Sequence, residues 1–311
     1  MNGLPGGLPG RVDSASTKNL VNGSKRRPSR DDSYSSIDPS MHAPSRLGPI
    51  ALDLLRRSLT PREAAILASV AQHRYLTGQQ IEQLHFRDHS SPSTANRIRC
   101  RVLERLTKMN VLIRLDRSIG GVRAGSAGYV YRVGTVGYRL AYGDATQSGR
   151  TREPSAVFLH HTLAVAQLAI DMILVAKDPD NEVELVTLQS EPDCWRSFQK
   201  GLGGREVLKP DLFMALGVGE FEDRWFIEID RGTESTVAVI KKCRLYLDYQ
   251  RTGIEQHRAE VFPKVLWVAI TKRRAFQIEK AVNASRELRG TDLFVITTND
   301  GAIPLLSGGQ S

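Results

Sequence analysis

Residues 207–230, VLKPDLFMALGVGEFEDRWFIEID, constrain this chain more than any other stretch. Two apolar runs, 212–216 and 225–229, flank a turn rich in glycine and acid, which is the pattern of a β-hairpin. Asp211, after Pro210, opens the first run, and Glu228 and Asp230 close the second. Two residues apart on a strand, Glu228 and Asp230 share a face. Carboxylates are costly to bury mid-strand unless something pairs with them, and a divalent cation is the usual reason to gather several.

The 311 residues give room for two domains and a tail. No apolar run approaches 18 residues, so no membrane span is expected. The N-terminus lacks the apolar core of a secretory signal. The cysteines, Cys100, Cys194 and Cys243, are odd in number and widely spaced. They fit a reducing cytoplasm and argue against a disulfide framework or a zinc knuckle. The net charge of +9 is uneven: residues 58–142 hold 13 basic and 5 acidic side chains, whereas 143–311 hold 21 and 24. A basic module joined to a mildly acidic one is the layout of a nucleic-acid reader with a second kind of domain.

A disordered basic tail is expected over residues 1–57, because residues 1–48 are rich in Gly, Ser, Pro, Asn and Asp and poor in large apolar side chains. Its Lys25, Arg26, Arg27 and Arg30 would add loose phosphate contacts, or simply solubilise the chain. At Thr60-Pro61-Arg62-Glu63 a capping box starts a helix. Thr77 caps a second, with Ile81 and Leu84 inward. Ser93 or Thr94 opens a third, whose Ile98, Val102, Leu103 and Leu106 form the buried stripe. Around that stripe stand Arg97, Arg99, Arg101, Arg105 and Lys108. Two β-rich pieces, 111–115 and 129–133, then flank a glycine-rich loop carrying Arg117 and Arg123. Three helices and a basic hairpin over 58–142 make a winged-helix DNA-binding domain, its third helix suited to the major groove and its wing to the backbone or minor groove. Winged helices also serve as protein-binding modules.

A polar linker over 143–154 leads to the second domain, 155–300. An apolar helix at 155–176 precedes a strand at 183–188, the acidic hairpin, a helix at 234–250, a strand at 261–271, a helix at 272–288 and a last strand at 292–297. The expected fold class is α/β: an N-terminal winged helix followed by an α/β sandwich with a mixed sheet.

The hairpin with Pro210-Asp211 and Glu228 resembles the PD-(D/E)XK nuclease superfamily. The resemblance implies that Asp211 and Glu228 hold Mg²⁺, which polarises the scissile phosphate and activates water. The lysine normally found two residues after the second acid is replaced here by Asp230. In some members that lysine sits on the following helix, where Lys241 or Lys242 would take its role; Lys242, Tyr246 and Tyr249 fall at helical spacings. Alternatively Asp230 is a third metal ligand, or the site no longer cuts. The catalytic set is therefore Asp211, Glu228, Asp230 and Lys242, with Asp211, Glu228 and Asp230 as metal ligands.

Over roughly residues 58–298 the chain also resembles the replication-relaxation family. The basic winged helix, the helix with Phe158, Leu159, His160 and His161, the KPD triplet, EIDRGTE (228–234) and the helix with Lys242 and Tyr246 carry the likeness. It implies a role in the replication and relaxation of plasmid DNA. His160 and His161 would join the acid site or pack in the core as neutral rings. Arg231 would hold a phosphate or pair with Glu234. Glu191 and Asp193 lie in a polar loop. No phosphate-cradling glycine loop, nucleophile elbow or relaxase-type histidine cluster is visible.

The expected function is that of a DNA-binding protein of a plasmid or integrative element, acting as a Mg²⁺-dependent endonuclease or nickase. The alternative is a non-catalytic replication or transcription regulator with a degenerate nuclease-like domain. Double-stranded DNA is the expected partner, other replication or conjugation proteins and a homodimer are left open, and no membrane is expected.

Overall fold

Thr60 and Glu63 exchange side-chain and backbone hydrogen bonds in a complete capping box, and α2 (Pro61–His73) starts there. The computed structural model describes residues 47–88, 91–118, 128–143, 153–200 and 203–308, all within one compact unit. Before α2 comes α1 (Pro49–Ser58), which buries Leu52. The tail expected over 1–57 is corrected here: its last residues form a helix because Leu52 and Leu55 find apolar partners in the core behind α2. The rest of that tail lies outside the described residues.

A second capping box, Thr77 with Gln80, starts α3 (Gly78–His85) after the two-residue strand β1 (Leu76–Thr77). The long α4 (Pro92–Lys108) is capped by Ser91, whose hydroxyl accepts from the Thr94 amide, rather than by Ser93 or Thr94. β2 (Leu112–Ser118) and β3 (Tyr129–Val133) pair antiparallel, and β1 adds to β3, giving the order β1-β3-β2. A further helix, α5 (Thr135–Tyr142), closes this half. Its core joins Ile66, Val70, Leu76, Ile81, Leu103, Leu106 and Leu112.

The second half opens with α6 (Ala156–Ala176) and continues through β4 (Val183–Ser190), β5 (Arg196–Lys200), β6 (Gly204–Leu208), β7 (Leu212–Val218) and β8 (Phe221–Asp230). It ends with α7 (Thr236–Gln250), α8 (Ile254–Ala259), β9 (Lys264–Ala269), α9 (Lys272–Ala284), β10 (Phe294–Thr298) and α10 (Asn299–Leu306). β5 and β6 form a separate hairpin, and the other five strands form a mixed sheet ordered β10-β9-β8-β7-β4. β4, β7 and β8 run antiparallel, whereas β8, β9 and β10 are parallel. Alternation along the strands sorts the core. Phe213, Ala215, Phe226, Val265 and Trp267 pack under α7 and α9. Leu212, Met214, Ile227, Leu266 and Val268 pack under α6 and α10. By that period of two, Asp211, Glu228 and Asp230 belong to the α7 and α9 face.

α6 serves both halves. Ala166 and Ile170 pack into the N-terminal core, while Leu168, Ala169 and Met172 pack on the sheet. Gln80 of α3 donates to the Leu163 carbonyl (2.9 Å) and Gln167 donates to Gln83 (3.2 Å), so polar bonds cross the same seam. The apolar character all round this helix follows from having two cores to fill. At 21 residues it is long and apolar enough to cross a membrane by length and composition, a property that the residue-by-residue reading did not register.

Candidate active site

The hairpin register sets the first distances. Leu212 stands opposite Ile227, and the Asp211 amide donates to the Ile227 carbonyl (3.1 Å), so one step further Asp211 faces Glu228. Both side chains rise on the same side of the sheet, and both are buried. One Asp211 oxygen accepts from the Ile229 amide (2.7 Å) and the other lies 3.0 Å from His161 Nε2 on α6. Glu228 Oε1 accepts from the Tyr246 hydroxyl (2.5 Å), and Oε2 accepts from the Lys242 ammonium.

Lys242 and Tyr246, four residues apart on α7, thus present a cation and a phenol to one carboxylate. Lys241 points away and is exposed. Tyr249 does not join them; its hydroxyl donates to Glu255 (2.6 Å), which also accepts from Arg196 (2.8 Å).

Electrostatics divides the acids into unlike members. Burial pushes the Glu228 carboxyl up to about 8, with Lys242 opposing and the Asp211 charge adding. Burial also works against the Asp211 charge, but the His161 hydrogen bond and the Lys242 charge outweigh it and hold Asp211 below its ordinary range. His161 is raised by its bond to Asp211 against the pull of burial. Lys242 is desolvated, yet the charges of Glu228 and Asp211 hold its ammonium protonated above the usual range.

Asp230 goes elsewhere. Arg274 of α9 grips it in a two-pronged pair (2.8 Å each), and the Gly232 amide adds a third bond (2.7 Å). Asp230, expected as a third metal ligand beside Asp211 and Glu228, is therefore held in this structure by a charge-assisted pair with Arg274 instead of facing those two acids. Among the described residues no group of three or more His, Cys, Asp or Glu is placed to hold a metal ion. Asp211 and Glu228 remain as two adjoining carboxylates, a donor set chemically suited to Mg²⁺, which binds through one or two carboxylates and keeps its waters.

The basic residues of α4 separate as well. Arg97 and Arg101 are exposed and carry no ion-pair partner among the described residues. Arg99, expected to touch DNA, is buried: it bonds Glu82 (2.5 Å), Asn96 and the Gly78 carbonyl (3.5 Å). The cause is helical phase, since Ala95, Arg99, Leu103 and Leu106 form the inward stripe. Arg105 pairs with the buried Glu63, and Lys108 with Glu104 (2.7 Å), both staying exposed. The Arg117 side chain and Arg123 lie outside the described residues.

A small cleft, partly open to solvent, runs between the two halves. Arg74, at the end of α2, and Phe158 and His161 of α6 form one side; Ser190, Glu191 and Asp211 form the other. Arg74 pairs with Glu191 (3.1 Å) and lies 5.1 Å from the Phe158 ring centre. Neither Arg274 nor the Arg196–Glu255–Tyr249 network stood out in the sequence. The one available signal was the run Lys272-Arg273-Arg274 opening a helix beside an acidic strand end.

These features define a mixed α/β protein whose sheet carries a buried acid–lysine–tyrosine cluster, one member of which, Asp211, also lines the inter-half cleft. A family model described as replication-relaxation matches residues 67–265, from α2 into β9 and across every member of that cluster. The chain belongs to the replication-relaxation family. Comparison with curated proteins and with solved structures gave no match.

Proposed function

We propose that this is a cytoplasmic double-stranded-DNA-binding protein that acts in the replication or relaxation of a plasmid or other mobile element. In this reading the N-terminal half is a winged helix that lays α4 in the major groove with Arg97 and Arg101 outward. The α/β half is a PD-(D/E)XK-like nuclease domain with its lysine moved onto α7. One observation carries the proposal: Asp211, Glu228 and Lys242, from three elements, meet on one face of the sheet.

Asp211 and Glu228 would hold Mg²⁺, which when bound polarises a phosphate and lowers the pKa of water. The protein's own groups do the rest. His161 and the Ile229 amide fix the Asp211 carboxylate, and Tyr246 fixes Glu228. Lys242, kept protonated, offsets negative charge developing on a phosphoryl oxygen. A non-catalytic reading has its own support, because both oxygens of Asp211, Glu228 and Asp230 are already engaged by protein donors. It would leave the cluster as a scaffold for binding.

Calorimetry with Mg²⁺ and Mn²⁺ on wild type and Asp211→Ala tests the metal, and nicking of supercoiled plasmid tests the chemistry. Metal uptake lost in Asp211→Ala, together with nicking lowered about a hundredfold or more in Lys242→Met, supports the nuclease. Equal metal binding by both proteins, or none, removes it and leaves the regulator.

A further inference from the structure

The register of the five-stranded sheet brings the end of β4, the start of β7 and the ends of β8, β9 and β10 to one end of the sheet. The acid cluster lies there, and basic side chains stand at neighbouring strand ends. Lys209 precedes β7, Arg231 follows β8, and Lys272 and Arg273 follow β9. Arg231 is half-buried and the other three are exposed, and none makes an ion pair among the described residues. Arg231 is not taken by Glu234, because Arg274 holds the Glu234 carbonyl (2.7 Å) together with the Asp230 carboxylate. Lys209 is held in place, its ammonium 4.4 Å from the centre of the Trp195 ring, a contact that leaves the charge intact. The neighbouring Cys194 thiol donates to the Pro210 carbonyl (3.0 Å), which fixes that turn beside the strand.

The α/β half is mildly acidic as a whole, yet its carboxylates crowd the other end of the sheet. Asp178, Asp180 and Glu182 lead into β4, and Glu220, Glu222 and Asp223 surround the β7–β8 turn. Asp193, Glu234 and Asp300 are exposed at the basic end, where Lys209, Arg231, Lys241, Lys272 and Arg273 outnumber them. The sheet is thus polarised along its strands, and a polyanion is drawn to the end that carries the acid cluster.

We propose that this end of the sheet is a second DNA contact, separate from α4. The backbone of one strand of a duplex crosses it at right angles to the β-strands, and Lys209, Arg231 and Arg273 take its phosphates as it passes the acid cluster. The proposal rests on the DNA-binding reading above and adds where the second half touches the duplex. Neighbouring strands lie about 4.8 Å apart, so β7 to β9 spans about 10 Å. That is the run of about three phosphates at about 3.4 Å of axial rise each. Contacts of this kind position the DNA and carry no sequence information.

The test is fluorescence anisotropy of the full, metal-free chain on a short duplex, repeated over a range of salt. Lys209→Gln/Arg231→Gln/Arg273→Gln removes three charges from the basic end. Lys264→Gln/Arg286→Gln/Arg289→Gln removes three from the opposite end, where these side chains also make no ion pair among the described residues. The basic-end variant should weaken binding about tenfold or more and lower the slope of log K against log salt by about 2 to 3, at about 0.9 per phosphate. The opposite-end variant should leave the slope in place, and both should keep the wild-type urea midpoint. Adding Arg97→Ala/Arg101→Ala to the basic-end variant should lower the slope by the sum of the two effects. An unchanged slope in the folded basic-end variant overturns the proposal, and if Arg97→Ala/Arg101→Ala still weakens binding, the α4 contact survives alone. Equal losses in the two triple variants also overturn it, since net charge would then explain both. So does poly-glutamate competing as well as duplex, because the surface would then serve an acidic protein. No duplex binding by wild type removes the DNA-binding reading itself.

Discussion

Arg97 and Arg99 stand two residues apart on α4 and face opposite ways, Arg97 outward and Arg99 into the core. Arg97→Ala/Arg101→Ala should leave the fold intact, weaken duplex binding and reduce the slope of log K against log salt by about one per lost phosphate contact. An unchanged slope would move the DNA contact off this helix. Arg99→Ala strands Glu82 and should cost about 3 kcal/mol in urea unfolding. Glu228 gives the pH dependence. Folding raises its carboxyl to about 8, so in the interval between its ordinary value near 4.5 and 8 the folded chain keeps a proton that the unfolded chain has lost. This contribution is complete below that interval and disappears as pH rises through it, at up to about 1.4 kcal/mol per pH unit. The raised His161 acts in the same direction but is present in both proteins compared. Wild type should therefore lose stability relative to Glu228→Gln between pH 5 and pH 8; parallel urea midpoints would contradict the buried, proton-holding Glu228. Asp211, held low, matters only at more acid pH.

At the scale of elements, α5 depends on two glycines. A Cβ on Gly137 would sit 2.0 Å from the Val111 carbonyl oxygen, and one on Gly134 would sit 2.2 Å from that of Asn110. Backbone cannot yield as a flexible side chain can, so Gly137→Ala should cost about 3 kcal/mol and release α5 to hydrogen exchange. A near-neutral effect would show that α5 is loosely seated. Neither contact can be read from sequence, and the reason is general for this chain. The capping box at Thr60, the cap at Thr77 and the apolar runs of β7 and β8 are local patterns, and they stand where the sequence reading places them; that Gln80 completes a box with Thr77 is seen only in the structure. Lys242, rather than Lys241, follows from helical phase once α7 is anchored. The partners of the acids do not follow: Arg274 lies 44 residues from Asp230, and His161 lies 50 residues from Asp211. Those pairs depend on strand order and on which face α6 covers. Arg99 misled for the complementary reason, since a charge on the inward stripe reads as surface until Glu82 on another helix is seen to meet it.

For the whole molecule, α6 makes stability a shared property. All three tryptophans, Trp195, Trp225 and Trp267, lie in the α/β half. Arg99→Ala, confined to the other half, should nonetheless lower the urea midpoint reported by tryptophan fluorescence, in step with far-UV circular dichroism. A tryptophan transition that ignores Arg99→Ala would mean that the halves melt independently. The same helix carries His161 to Asp211 and Gln167 to Gln83, so the spacing from α4 to the acid cluster is set by packing and not by a tether.

Ala166 and Ile170 have a consequence for descent. A protein whose reader hangs on a linker can acquire a new specificity by recombination at the joint. Here such an exchange would meet a foreign surface at these two side chains and leave bare grease. Under the proposed DNA-binding role, new target sites would then arise by drift on the outward side of α4, one arginine at a time, while the buried side stays fixed by its neighbour.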